Sequence, residues 1–258
     1  MLSKGGQPYS QERVARLFDE PAETRGARRK LVAAEGTLPR DADELAFERL
    51  DLCRNDVLLD VGTGDGRLAI RAARICRRVI GIDISRRSLE RARVSAREED
   101  LTNVSFAYGA FEDPCSEADL SSCRINKILA AYALHHLPDT LKEKSLGALV
   151  SLLQRPGRVA IGDLMFFEDP AQHEDDWDNV AYDGGEYDFP APVGFLTDVL
   201  KRLACISHRL SAASPDTSAP AALRSVGLLN VSPWIRLRWP RSQALQAPPS
   251  PPLRDDSR

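Results

Sequence analysis

Between residues 57 and 166 the chain alternates short, continuous apolar runs with stretches in which apolar residues recur every three or four positions. A short branched apolar run bounded by glycine or proline suits a strand buried on both faces, and the three-to-four spacing suits a helix with one buried side. On that reading "VLLDV" (57–61) is a strand, and Leu68, Ala69, Ala72, Ala73, Ile75 and Cys76 mark the helix after it. "VIGIDIS" (79–85) is a second strand, "RRSLERARVSARE" (86–98) the next helix, and "NVSFAYG" (103–109) a third strand. "KILAAYAL" (127–134) is the fourth, and a helix with Leu146, Leu149, Val150 and Leu153 on one side follows it. "RPG" (155–157) stops that helix, and "RVAIGDLMF" (158–166) is the fifth strand. This alternation predicts an α/β protein with a doubly wound, mostly parallel sheet and helices on both faces.

The flanking segments follow the pattern less closely. Residues 1–45 are polar and charged, with helical spacing around "QERVARLF" (11–18) and "DADELAFERL" (41–50), and are read as an N-terminal helical cap ahead of one domain over 46–240. Within that domain residues 166–192 are rich in acids, glycine and proline and are expected to form a long, lid-like loop. After Leu200 one or two strands are interrupted by a Ser/Pro-rich stretch, and the proline-rich polar tail over 241–258 is expected to be disordered.

The first strand breaks into "GTGDG" (62–66), three glycines two positions apart. A strand, a tight turn and a helix in that order aim free backbone N–H groups and the positive helix end at whatever lies above the turn. Glycine permits positive φ there and removes Cβ atoms that would hold a ligand away. A nucleotide-like or anionic ligand follows. The dinucleotide fingerprint Gly-x-Gly-x-x-Gly/Ala is met at Gly62 and Gly64, but its sixth position is Arg67 and the third glycine comes early, at Gly66. The second strand carries Asp83, 21 positions after Gly62, near the spacing of about 20 at which an acidic side chain meets ribose hydroxyls. The same aspartate also suits a turn ahead of the next helix.

In order and spacing, "LDVGTGDG", "GIDIS", "YGAFEDP", "YALHHLPD" and "LLQRPGRVAIGDLMF" resemble the class I, Rossmann-like S-adenosylmethionine-dependent methyltransferases of the small-molecule type, nearest to uncharacterised bacterial and archaeal members, over residues from about 12 to 200. The resemblance implies S-adenosylmethionine as cofactor and S-adenosylhomocysteine as its product. It assigns the methionine portion to Gly62, Gly64 and Gly66, the ribose to Asp83, and the adenine to Ala110 and Phe111, with Asp60, Thr63, Ile84 and Ala131 completing the cofactor site. It also implies that the N-terminal segment covers the cleft and that an antiparallel strand near the C-terminus finishes the sheet. Two departures stand out. Relatives carry Gly-Asp before the adenine contact where this chain has Gly109-Ala110, leaving Asp113 as a substitute carboxylate. Relatives also carry a Tyr-Asp pair over the cofactor, and "LFDEPAETRGARRK" (17–30) lacks the tyrosine.

Composition narrows the partners. A chain of 258 residues with 43% apolar side chains can bury one sizeable core. Its net charge of −3 gives no global attraction to phosphate backbones, so nucleic acid is not the expected partner. No apolar run approaches a membrane span and the polar N-terminus has no signal-peptide core, so a cytoplasmic protein without a membrane partner is expected. Cys53, Cys76, Cys115, Cys123 and Cys205 include no Cys-x-x-Cys pair and are read as reduced thiols. Oligomeric state leaves no signal.

Methyl transfer needs positioning and desolvation of the acceptor, and a base only where the acceptor must lose a proton. His135 and His136 sit at the end of the fourth strand, where open α/β sheets bind ligands, and imidazole titrates in the right range for that role. Adjacent residues point in different directions, so one of the pair is expected to face the cleft; alternatively both orient the loop. Asp139, after Pro138, is read as the cap of the next helix, and Asp163 and Tyr132 as further cleft candidates. "HEDDWDN" (173–179) holds enough carboxylates for a hard cation but reads equally as solvated surface, and no metal is assigned. Trp177 and Tyr182 are candidate lid contacts to substrate, and Arg25, Arg28, Arg29 and Lys30 form a basic patch suited to an anionic substrate or to solvent. The sequence after the fourth strand, Tyr132-Ala-Leu-His-His, is not the Asn/Asp-Pro-Pro-aromatic motif that holds a flipped amino group. The function expected is therefore methyl transfer to a small-molecule acceptor. An RNA or protein methyltransferase and a non-catalytic cofactor-binding protein are the alternatives.

Overall fold

The computed structural model describes residues 9–20, 38–166, 183 and 185–203, together with the backbone of 208–212 and 226–231. The basic patch, the acidic stretch with Trp177 and Tyr182, Cys205 and the tail lie outside the described residues. Continuous apolar runs become buried strands: β1 (Val57–Val61), β2 (Arg78–Asp83), β3 (Val104–Tyr108), β4 (Lys127–Ala131) and β5 (Arg158–Phe166). A two-residue β6 (Ala191–Pro192), β7 (His208–Ala212) and β8 (Val226–Val231) follow. The helices are α1 (Gln11–Asp19), α2 (Leu38–Arg49), α3 (Arg67–Ala73), α4 (Arg86–Glu98), α5 (Asp139–Leu152) and α6 (Val193–Arg202), with a short 3-10 turn at Leu134–His136.

The sheet runs β3-β2-β1-β4-β5-β8-β7, with β6 beside β5. β1 to β5 are parallel, and β8 is antiparallel to both β5 and β7. Strand order reverses where β1 meets β4, so the crevice beyond their C-terminal ends is the natural ligand site of the fold. Both glycine turn and histidine pair leave the sheet there.

Alternating side chains supply two cores. Val57, Leu59 and Val61 of β1 join Ile128, Ile161, Leu146, Leu149 and Leu196 on one face. Leu58 joins Leu129, Leu68, Leu89, Phe106 and Leu50 on the other. Burying each such leucine contributes about 1.5–3 kcal/mol. α2 packs on this second face against β4 and β5, so the boundary at 45/46 falls inside a helix laid on the sheet. Gly162 makes that contact close, since a Cβ there would stand 2.6 Å from the Ala42 carbonyl oxygen.

Two local expectations are corrected. α3 ends at Ala73, before Ile75 and Cys76, because the chain must turn back into β2: the N–H groups of Ile75 and Cys76 both donate to the Ala72 carbonyl, and Ile75 is left 39% exposed. Asp139 does not cap α5. Pro138 holds the N-cap position without a side-chain bond, and the Asp139 carboxylate accepts from Lys142 Nζ at 2.8 Å.

Candidate functional site

A cavity of about 380 Å³ opens at the switch between β1 and β4, within the size range of small-molecule sites. One wall is the β1–α3 turn. Gly62, Gly64 and Gly66 all have positive φ, but their bareness serves different ends. A Cβ on Gly62 would come 2.5 Å from Ala133 Cβ, and one on Gly66 2.8 Å from Ala92 Cβ, whereas one on Gly64 would meet nothing within 4 Å. Gly62 and Gly64 line the cavity and Gly66 does not. Gly66 instead lets α3 start close to α4 and the Phe106 ring.

Four of the N–H groups expected to be free at this turn are engaged. Gly62 and Thr63 donate to the Ile82 carbonyl at 2.9 and 3.0 Å, Gly66 donates to Thr63, and Gly64 donates to Asp83 Oδ2 at 2.8 Å. With these four donors engaged, Gly62 and Gly64 offer a ligand bare backbone surface. Asp83 Oδ1 accepts from Ser85 N–H at 2.8 Å. The Ile84 N–H also bonds this carboxylate, and its remaining acceptor capacity is what the ribose hydroxyls would use.

Asp60, Thr63, Ile84, Ala110, Phe111 and Ala131 also line the cavity. Asp60 is buried and accepts from Thr63 Oγ1 at 2.6 Å, and burial pushes its carboxyl up to about 7. Burial likewise raises Asp83 against the opposing N–H bonds from Ser85 and Gly64. Among the lining carboxylates that escaped the sequence reading are Asp43 and Glu112. Asp43 of α2 pairs with Arg67 through Oδ2 at 2.6 Å, its Oδ1 is buried with no hydrogen-bond partner, and burial pushes it up to about 6 despite Arg67. Glu112, not Asp113, is the carboxylate beside Phe111 on the wall, and it accepts from the Tyr9 hydroxyl at 2.5 Å. Tyr9 thus brings a tyrosine to the cavity from just before α1, outside the stretch where one was missed. The partial N-cap signal "SQER", with Ser10 Oγ accepting from Arg13 N–H, starts the helix that lays Val14, Leu17 and Phe18 across the cavity.

Reluctantly ionised carboxylates facing a cavity mark a place for a cation. An orphaned carboxylate oxygen at Asp43 meets the same need. These residues fit a ligand such as S-adenosylmethionine, which carries an ammonium and a sulfonium, a ribose diol and a flat apolar base.

The opposite wall follows β4. Tyr132 lies in the left-handed region at φ +49°, a conformation that costs a non-glycine residue on the order of 1–3 kcal/mol and clusters at functional sites. It leads into His135 and His136, both of which line the cavity, so the expectation that one faces the cleft is corrected. The 3-10 turn rotates them so that their ring centroids are only 4.1 Å apart. Asp163 stands behind His135 instead of lining the cavity: Oδ1 meets His135 Nδ1, and Oδ2 accepts from the His135 backbone N–H at 3.1 Å.

Asp188, which the sequence reading passed over, closes this wall. Its Oδ1 is 3.6 Å from His135 Nε2 and 3.2 Å from His136 Nδ1. Burial pushes the His136 imidazole down, but the hydrogen bond and charge of Asp188 and the Tyr187 carbonyl more than reverse this and raise it. The segment carrying Asp188 is fastened: the Asp183 carboxylate accepts from the N–H groups of Gly185, Glu186, Tyr187 and Asp188, and Phe189 N–H donates to the His135 carbonyl at 2.5 Å. Buried Lys142 bonds the carbonyls of Leu137 and Phe189 together with Asp139. The "YDGG" turn signal at 182–185 was the available hint that this part of the predicted loop is built.

The family model described as a methyltransferase domain matches residues 52–197. The chain is 30% identical over 92 residues to the 23S rRNA (uracil(1939)-C(5))-methyltransferase RlmD of Legionella pneumophila (strain Lens), covering 36% of this chain and 21% of that protein. It is 40% identical over 57 residues to the human tRNA (uracil-5-)-methyltransferase homolog A, covering 22% and 9%. The chain spans about a fifth of the length of the curated relatives it matches first. In structure it is similar to geranyl diphosphate C-methyltransferase from Streptomyces coelicolor, solved with S-adenosyl-L-homocysteine, with a TM-score of 0.64 at 15% identity over 88% of this chain and 99% of that one. That last likeness shows the fold.

Proposed function

From the premise that this chain belongs to the methyltransferase-domain family, with S-adenosylmethionine as cofactor, we propose that it methylates a small-molecule acceptor held between the glycine turn and the wall of His135, His136 and Asp188. The observation that carries the reading is the lining of the cavity. Val14, Leu17 and Phe18 of α1 bring apolar side chains to it and Asp188 a carboxylate, within about 380 Å³, which suits a small acceptor beside the cofactor. Gly64 and Asp43 would hold the methionine end, Asp83 the ribose, and Ala110 with Phe111 the base. When bound, the cofactor supplies a methyl group on a positively charged sulfur. The chain's own work is to exclude water, orient the acceptor, and take up its proton on the histidine–aspartate cluster. Asp163 fixes the His135 ring for that task.

A second reading is favoured by the relatives named as RNA uracil methyltransferases, and the expectation against nucleic acid draws no support from them. Alkylating C5 of uracil calls for a nucleophile that first adds to the ring, a role suited to a thiolate. Among the described residues no cysteine lines the cavity, which supports the small-molecule reading.

The test is transfer of labelled methyl from S-adenosylmethionine into a fractionated metabolite extract and, separately, into total RNA. Label in a low-mass fraction is the expected outcome. Label that nuclease releases from RNA, with none in metabolites, would replace this reading by the second.

A further inference from the structure

We propose that His135, His136 and Asp188 bind a divalent transition-metal ion at the acceptor side of the cavity. Their ligand atoms all lie within 4.8 Å of one another. The separations of 3.6 Å from Asp188 Oδ1 to His135 Nε2 and 3.2 Å to His136 Nδ1 bracket the spacing of about 3.3–3.5 Å between neighbouring ligands on a four-coordinate ion with bonds near 2.0–2.2 Å. His136 Nδ1 donates to the Tyr187 carbonyl at 3.1 Å, and the ion would displace that proton. The cluster is not a chance meeting of surface charges, since the side chains of His135 and Asp188 are 3% and 2% exposed.

An independent observation points the same way. Metal-binding imidazoles characteristically give their other ring nitrogen to a carboxylate or carbonyl. Asp163 holds Nδ1 of His135, and this leaves Nε2, the atom turned toward Asp188, as the lone-pair donor. Asp188 is held in turn, because its Oδ2 accepts from Asp183 N–H at 3.1 Å and its Oδ1 faces the rings. Two imidazoles and one carboxylate favour zinc, iron(II) or a similar borderline ion over magnesium or calcium. All three residues line the cavity, so an ion held by them would be within reach of an acceptor bound there.

The ion would sit where the three groups otherwise share protons, and its binding would expel them. An acceptor hydroxyl or thiol at an open position would lose its proton to solvent more readily, as the ion's charge lowers its pKa. With the ion bound, the lone pairs of the ligating nitrogens are committed to it, so this use takes the place of proton uptake by the cluster in the acceptor reading above; the site itself does not rest on that reading.

The experiment uses tag-free, full-length protein stripped with chelator. Zn²⁺ is titrated by calorimetry in two buffers of different ionisation enthalpy, and Co²⁺ is followed by visible absorption. Expected are one equivalent of bound ion, proton release, and cobalt d–d bands. His136→Ala and Asp188→Ala should each weaken binding more than about 100-fold and Asp163→Asn about 10- to 100-fold, while Asp175→Asn/Asp176→Asn in the acidic stretch should leave it unchanged. Each variant is also titrated with S-adenosylhomocysteine, whose retained binding certifies the fold. Folded protein that takes no stoichiometric Zn²⁺, or binding that survives in His136→Ala and Asp188→Ala, or binding abolished by the Asp175/Asp176 changes, would overturn the proposal. Stoichiometric Zn²⁺ without S-adenosylhomocysteine binding would support the metal site and count against the cofactor reading alone.

Discussion

The two walls of the cavity are built differently. On the cofactor wall the turn, Thr63 and Asp83 belong to one β–α–β unit, and their geometry is carried by backbone hydrogen bonds between β1 and the end of β2. On the acceptor wall His135, Asp163 and Asp188 come from three separate segments and are aligned by side-chain contacts between buried polar groups. A local unit specifies its shape wherever the strand pair forms. An assembly of distant polar groups exists only when the whole core has closed around it.

If the division is real, changes on one wall should leave the other untouched. The largest effect is expected at His135→Ala, where turnover with the acceptor found in the label screen should fall about 10²- to 10⁴-fold while S-adenosylhomocysteine affinity holds. Loss of both in equal measure, by calorimetry and kinetics, would erase the distinction.

Next comes a contrast within the glycine turn. Gly62→Ala adds a methyl 2.5 Å from Ala133 Cβ at φ +74° and should cost about 2–4 kcal/mol in chemical denaturation. Gly64→Ala meets only the αL penalty of about 1 kcal/mol, but its methyl enters the cavity and should weaken cofactor binding. Equal stability losses in the pair would mean that Gly64 is packed after all.

Asp83→Ala should then weaken S-adenosylhomocysteine by about 10- to 100-fold, the worth of a charged hydrogen-bond acceptor, without unfolding the chain. Unchanged affinity in titration would remove Asp83 from the ribose site.

The smallest effect is in pH. Asp60, pushed by burial from an ordinary 3.8 up to about 7, binds a proton in the folded state that the unfolded chain has already lost between those values. Its contribution to stability is complete below about pH 4, falls as pH rises, and is gone above about pH 7. The ligand-free protein should thus lose about 2–4 °C in Tm per kcal/mol of this term between pH 5.5 and 8, and Asp60→Asn should flatten that slope in a melting series. Binding of a cationic cofactor should strengthen over the same interval. A slope identical in the variant would clear Asp60 of the effect.

Much of this was legible in the chain. The bounds of β1, α4 and β5 follow the apolar runs and helical spacing residue for residue, because each is set by burial that repeats along a local period. Ala110, Phe111, Ile84 and Asp83 reach the cavity as their places at strand ends imply. What local pattern could not carry was the fate of individual donors and acceptors. Gly66 looks like its fellow glycines in sequence yet answers to Ala92 and Phe106 across the fold. Asp43, Glu112 and Asp188 are ordinary acids until α2 lies on the sheet, the strand after residue 104 ends, and the 183–190 segment docks on α5. Hydrophobic periodicity fixes which face of an element is buried; which buried polar atoms meet is decided only by the tertiary packing that removes the water they would otherwise bind.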